Sequence, residues 1–197
     1  MKAQLTRRNL VMAAPAAGLA GLLSACATRP GSMAAPGPLY RVDDEARILA
    51  AARAIFAEDH IGSLVTIDSN GMPRVRPVGV WEPDNDLVLW IATRRESRKV
   101  EQIRGNSNSA LLFNFDDSAN NYANAFYASF MGAATVHIDD ATIASKQPNE
   151  QLRRELWPDF PNDFAAIRFR PRWLEVMGKG IMPKAGSWQP QGVVLPG

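Results

Sequence analysis

The hydrophobic rhythm of this chain changes several times after residue 40, and each change predicts an element. Between Asp43 and Asp59, Ala46, Leu49, Ala52 and Phe56 recur at three- and four-residue spacing with Ile48 and Ile55 beside them. That pattern predicts an amphipathic helix opened by acidic capping residues. Ile61–Asp68 (IGSLVTID) then reads as a strand, Ser69-Asn70-Gly71 as a hairpin turn that tolerates positive φ, and Pro73–Trp81 as the returning strand. Glu82–Asn85 (EPDN) is another turn, and Asp86–Thr93 a third strand with an apolar centre at Leu87–Ile91. Ser97–Arg104 predicts a short helix with Val100 and Ile103 inward. Ser109–Phe115, Ala125–Ile138 and Phe164–Val176 complete six strands, and Asp139–Leu156 reads as one helix ending before Trp157-Pro158. Closely spaced antiparallel strands with few helices predict a mainly β domain built as a small barrel with flanking helices.

The first forty residues follow a different logic. Met1–Asn9 is polar and basic, and Leu10–Ala25 (LVMAAPAAGLAGLLSA) is an uncharged apolar run interrupted by Pro15, Gly18 and Gly21. This run is shorter than the roughly 20 residues a spanning helix needs. A basic start, a short apolar run and small residues at its end describe an export signal over 1–26. Thr6-Arg7-Arg8-Asn9-Leu10-Val11 is similar to a twin-arginine export motif. Leu23-Ser24-Ala25-Cys26 is similar to a bacterial lipoprotein box, in which the cysteine becomes the acylated first residue. Two outcomes stand: lipidation at Cys26, which tethers the domain to a membrane face, or plain cleavage after Ala25-Cys26-Ala27 that leaves a periplasmic protein. Thr28–Pro38 is rich in Pro and Gly, so 27–40 reads as a linker and 41–197 as the one domain.

Charge changes the picture little. The formal net charge of +2 is concentrated in the export segment, and without Lys2, Arg7 and Arg8 the chain has 19 basic residues against 20 acidic. That balance argues against a nucleic-acid partner, which requires a concentrated cationic excess. Cys26 is the single cysteine, so no intramolecular disulfide forms. His60 and His137 are the only histidines, no CxxC, HxxxH, GxGxxG or GxxxxGK occurs, and no metal site is expected.

The candidate chemistry is cationic. Arg74 and Arg76 share one face of the predicted second strand, because side chains alternate. Thr93-Arg94-Arg95-Glu96-Ser97-Arg98-Lys99 runs from a strand end into a helix with Ser97 at its N-cap. Arg98 and Lys99 in a first helical turn oppose the helix dipole, a disposition that makes sense if an anion sits among them. Guanidinium, ammonium and hydroxyl groups together describe a phosphate cage. The same residues are compatible with a solvated basic turn partnered by Glu96 and Glu101.

Three segments extend this reading: Gly71-x-Pro73-x-x-Arg76-Pro77-Val78, Thr93-x-x-x-Ser97-Arg98-Lys99, and Gln102-Ile103-x-x-Asn106. Over about 45–178 the sequence resembles the pyridoxamine 5′-phosphate oxidase-related FMN-binding split barrels, nearest their general-stress-protein type. The resemblance implies a six-stranded antiparallel split barrel that forms a homodimer with FMN between subunits. It assigns Arg76, Thr93, Ser97, Arg98 and Lys99 to the FMN phosphate, and backbone near Val78 and Ala92 to the ribityl chain and ring. It further implies an oxidoreductase acting on a small molecule, or a module that only stores or senses flavin. A deazaflavin, a haem and a barrel without cofactor are further alternatives. Departures from the true oxidases point away from vitamin B6 oxidation: Trp81 occupies the position of a substrate-binding Lys, and no Arg-x-His follows His137. Trp81, Trp90, Trp173 and Trp188 are candidates for an apolar pocket, with core packing the commoner role for Trp90 and Trp173. The Pro/Gly-rich tail Pro183–Pro196 is expected to fold over a dimer cleft.

Overall fold

The structure is a computed structural model that describes residues 44–81, 83–182 and 190–196. The export segment, Cys26, the linker and Trp188 lie outside the described residues. Helix α1 (Glu45–Glu58) begins at Asp44, whose carboxylate accepts from the Arg47 amide. Its buried stripe is Ile48, Ala51, Ala52, Ile55 and Phe56. The helix is thus rotated from the expected face, with Ala46 exposed and Leu49 only partly buried. The larger β-branched and aromatic side chains set the inward face.

Six strands appear where the sequence placed them: β1 (Ile61–Ile67), β2 (Pro73–Gly79), β3 (Leu89–Arg94), β4 (Asn108–Phe115), β5 (Phe126–His137) and β6 (Phe164–Met177). All pairings are antiparallel, in the order β2-β1-β4-β5-β6-β3. A seventh strand, β7 (Gln191–Val194), pairs with β6 and was not expected. Val193 and Leu195 enter the main core, so this part of the tail is sheet. Its short apolar run, Val193-Val194-Leu195, was hidden among Pro and Gly neighbours.

Three boundaries shift for local reasons. β3 starts at Leu89, not Asp86, because Leu87 adopts φ 58° in a turn where its amide reaches the Asp84 carbonyl. In the β1–β2 turn only Gly71 takes positive φ (78°), and Asn70 does not. The expected helix over Asp139–Leu156 is two helices, α3 (Asp140–Ser145) and α4 (Glu150–Leu156). Pro148 breaks the run by disfavouring helix before it, and Asn149 caps the restart by accepting from the Leu152 amide.

Helix α2 (Arg98–Gly105) lies across β1 and β5 with Val100 and Ile103 buried, as expected. The main core joins α1 to the barrel interior through Phe56, Phe113 and Phe130, whose rings meet at 4.5–6.0 Å. The β5–β6 register shifts at Met131/Gly132, where Arg172 is the extra residue, and this bulge bends β6 against β5. The barrel remains split: β2 and β3, the two ends of the strand order, meet only through an isolated bridge between Trp81 and Trp90. Trp173 is fully buried in the core, 1% exposed, and its indole N–H donates to Glu175.

Candidate functional site

At the split edge the expected cations converge. Arg74, Arg76, Ser97, Arg98 and Lys99 line one cavity of about 370 Å³, closed on a further side by Gln102. Strand alternation places Arg74 and Arg76 on the same face, and antiparallel pairing sets Arg74 opposite Thr66 on β1. The short link from β3 to α2 brings Thr93 back over the helix start.

Each group is fixed by a named partner. Arg76 donates from Nη1 to the Thr66 hydroxyl (2.7 Å) and from Nη2 to Gln102 Oε1 (2.8 Å). The Thr66 hydroxyl in turn donates to Gln102 Oε1 at 2.6 Å. Lys99 Nζ donates to Thr93 Oγ1 at 2.9 Å, and Thr93 Oγ1 lies 3.1 Å from Ser97 Oγ. Ser97 occupies the N-cap position of α2, yet its hydroxyl makes no cap bond, which leaves it turned toward Thr93. The first-turn amides of Arg98 and Lys99 have no carbonyl to bond within the helix. Trp157 Nε1 donates to the Thr93 carbonyl at 2.9 Å, anchoring the strand end from behind.

Electrostatics show what the cavity lacks. Arg74 is paired with Asp68 (2.8 Å). Among the described residues no carboxylate forms an ion pair with Arg76, Arg98 or Lys99. Burial pushes the Lys99 ammonium below the usual lysine range, and the Arg76 charge adds to this. Burial also lowers Arg76, followed by repulsion from Arg98 and Arg74. Three cations gathered without an acid repel one another, and an anion placed between them would relieve that repulsion. The donor set of two guanidinium groups, an ammonium, two hydroxyls and helix-start amides fits a phosphate monoester.

Arg76, Thr93, Ser97, Arg98 and Lys99 are therefore brought together, whereas Val78 and Ala92 are not in this cavity. Val78 is buried in the main core, and Ala92 lines a separate groove along the seam. Thr66 and Trp157 escaped the sequence reading. A Thr at an inward position of β1, two residues from buried Leu64, was the available signal for the first. The second is a long-range contact that no spacing reveals. Among the described residues no cluster of His, Cys, Asp and Glu could hold a metal ion.

The pyridoxamine 5′-phosphate oxidase family model matches residues 48–177, more than half of the chain. The chain belongs to that family. Among solved structures it is similar to general stress protein 26 from Bacillus anthracis str. Sterne, at 24% identity and TM-score 0.54, covering 76% of this chain and 97% of that one. A general stress protein 26-related protein of the pyridoxinephosphate oxidase family from Clostridium acetobutylicum gives 16% identity and TM-score 0.60, covering 78% and 96%. A pyridoxamine 5′-phosphate oxidase-related, FMN-binding protein from Nostoc punctiforme gives 13% and 0.53, covering 81% and 100%. At these identities the likeness establishes the split-barrel fold. A comparison with curated proteins returns no match. In this chain β7 pairs with β6, and a backbone bridge between Trp81 and Trp90 crosses the split edge.

Proposed function

We propose that this chain is an FMN-binding flavoprotein that holds the FMN phosphate in the cage of Arg76, Thr93, Ser97, Arg98 and Lys99. The observation that carries the reading is the trio Arg76, Arg98 and Lys99, gathered at one cavity without an acidic partner. Membership of the oxidase family and the FMN-binding neighbour support the choice of anion. Thr66 and Gln102 hold the Arg76 guanidinium in a fixed plane, so its free edge faces the cavity ready for two phosphate oxygens. Backbone of β2 and β3 near Val78 and Ala92 flanks the space where the ribityl chain and ring extend. FMN bound there supplies hydride and electron transfer, and the reaction is oxidoreduction of a small molecule other than a vitamin B6 phosphate. The active unit in this reading is a homodimer. It is exported, and Cys26 carries the lipid that holds it at the cell envelope.

A visible absorption spectrum of the purified protein, with identification of the released chromophore, tests the cofactor. A flavin spectrum and released FMN are expected. A colourless protein that ignores added FMN, or one that releases haem, refutes the reading. For the anchor, Cys26→Ser should release the protein from the membrane fraction of its native host, and an unchanged distribution refutes lipidation.

A further inference from the structure

A cavity of about 580 Å³ adjoins the cationic cage along helix α2, and Arg98 and Gln102 stand in the walls of both. On the helix side Arg98, Glu101, Gln102 and Gly105 recur at three-, four- and seven-residue intervals, which puts them on one face. That face runs from the cage toward the end of the helix over roughly 10 Å, at about 1.5 Å per residue. The β1–β2 turn supplies the opposite wall with Asp68, Ser69 and Gly71. Hydrogen bonds fix this wall: the Asp68 carboxylate accepts from the Asn70 and Met72 amides at 2.9 Å and pairs with Arg74 at 2.8 Å. Glycine on each side keeps the groove open, because a Cβ built on Gly105 or Gly71 meets nothing within 4 Å.

The groups along the groove change in character with distance from the cage. Arg98 is the single cation in its lining and stands where cage and groove meet. Gln102 Oε1 is taken by Thr66 and Arg76, and among the described residues its amide N–H2 donates to nothing. A guanidinium and an amide N–H2 at this junction suit a second phosphoryl group next to the one in the cage. Farther along, Asp68 is spent on its own turn and on Arg74. The exposed Glu101 carboxylate, which forms no ion pair among the described residues, is then the acceptor that a ligand can use. The Ser69 hydroxyl and the Asn106 amide line the same space. Asn106 Oδ1 accepts from the Asn108 amide, so its N–H2 is the part left for a ligand. A carboxylate with a hydroxyl and an amide donor is the set that pairs with sugar hydroxyls. A second anion placed this far along would meet Glu101 and Asp68 instead, at a distance from the cations. The volume lies within the roughly 300–1,000 Å³ typical of ligand pockets.

We infer that the site takes a flavin dinucleotide as well as the mononucleotide: the first phosphate in the cage, the second at Arg98 and Gln102, and a neutral, hydroxyl-bearing nucleoside along the groove. This rests on the flavin reading above and extends the ligand beyond its phosphate. The test is calorimetry on the full chain with FMN, FAD and riboflavin titrated separately. FAD should bind at least as tightly as FMN, and both more tightly than riboflavin. Gly105→Gln puts a long side chain into the groove at an exposed position. It should weaken FAD at least about tenfold and leave FMN within about twofold, which also shows that the variant is folded. Glu101→Ala removes one acceptor and should weaken FAD at least about fivefold without weakening FMN. Weaker binding of FAD than of FMN by the wild type overturns the proposal while FMN binding stands. So does FAD binding that both variants leave unchanged, since the nucleoside then hangs in solvent. Equal losses of FMN and FAD in the variants would assign these residues to the cage and overturn the groove. A chain that binds neither flavin refutes the flavin reading itself and the dinucleotide with it.

Discussion

Replacing Lys99 by Met tests the cage at the group whose charge the fold disfavours most visibly. The substitution keeps the length of the side chain and removes only the ammonium. Two unit charges 4 Å apart attract by about 4 kcal/mol at an effective dielectric near 20. Part of that is cancelled because both the ammonium and the phosphate lose water, and Arg76 and Arg98 remain to hold the anion. The measured range for a hydrogen bond to a charged group, about 1.5–3 kcal/mol, is therefore the better guide. It corresponds to a rise in the FMN Kd of roughly 10- to 150-fold, centred near 30-fold at about 2 kcal/mol. Riboflavin, which lacks the phosphate, should change less than about twofold, since it offers the ammonium no anionic group to pair with. At FMN equal to 100 times the wild-type Kd, ligand linkage stabilises the wild type by about 2.7 kcal/mol and a 30-fold weakened variant by only about 0.9 kcal/mol. For a domain of this size the difference is about 4–7 °C in the ligand-induced rise of Tm.

The pH dependence carries a second signature of the same group. The Lys99 pKa is lowered in the folded protein, by burial first and Arg76 second. Between that lowered value and the ordinary 10.5 the unfolded chain holds more protons, so this contribution makes the ligand-free protein more stable as pH rises through the window. A bound phosphate favours the charged ammonium, so FMN affinity should fall as pH rises through the same window. Lys99→Met should abolish that alkaline limb and leave the acidic one, set by the second phosphate ionisation near about 6. Fluorescence titration of both flavins against pH is the assay. Equal losses for FMN and riboflavin, or no loss for either, would refute the phosphate assignment of Lys99.

Two further substitutions test the scaffold behind the cage. Trp157→Phe removes the donor to the buried Thr93 carbonyl and should lower stability by about 1–3 kcal/mol in urea unfolding; an unchanged midpoint would show that the bond contributes nothing. Gly132→Ala would place a Cβ 2.1 Å from the Arg170 carbonyl oxygen and 2.7 Å from the Pro171 Cα, both backbone. It should cost more than about 3 kcal/mol, whereas Gly105→Ala, with nothing within 4 Å of its Cβ, should stay within about 1 kcal/mol of the wild type. Equal stability of the two variants would discard the close approach at the bulge.

The sequence by itself determined what depends on neighbours along the chain. Period-two alternation and turn residues located six strands, because strand formation there agrees with local preference. The cluster Thr93, Ser97, Arg98 and Lys99 was legible because one strand end and one helix start hold it within seven residues. Arg76 was legible because alternation sets it on one face with Arg74. Elements whose state depends on distant partners were not. β7 is a strand because β6 offers an unpaired edge and the main core accepts Val193 and Leu195, and nothing in a Pro/Gly-rich tail announces that. Thr66, Gln102 and Trp157 acquire their roles through contacts 10 to 64 residues apart in the chain. The barrel stays open at its seam because β2 and β3, the two ends of the strand order, do not pair beyond one isolated backbone bridge. Local periodicity fixes which residues face inward, but the closing of a barrel is a property of its whole circumference, and only the tertiary structure decides where it stays open.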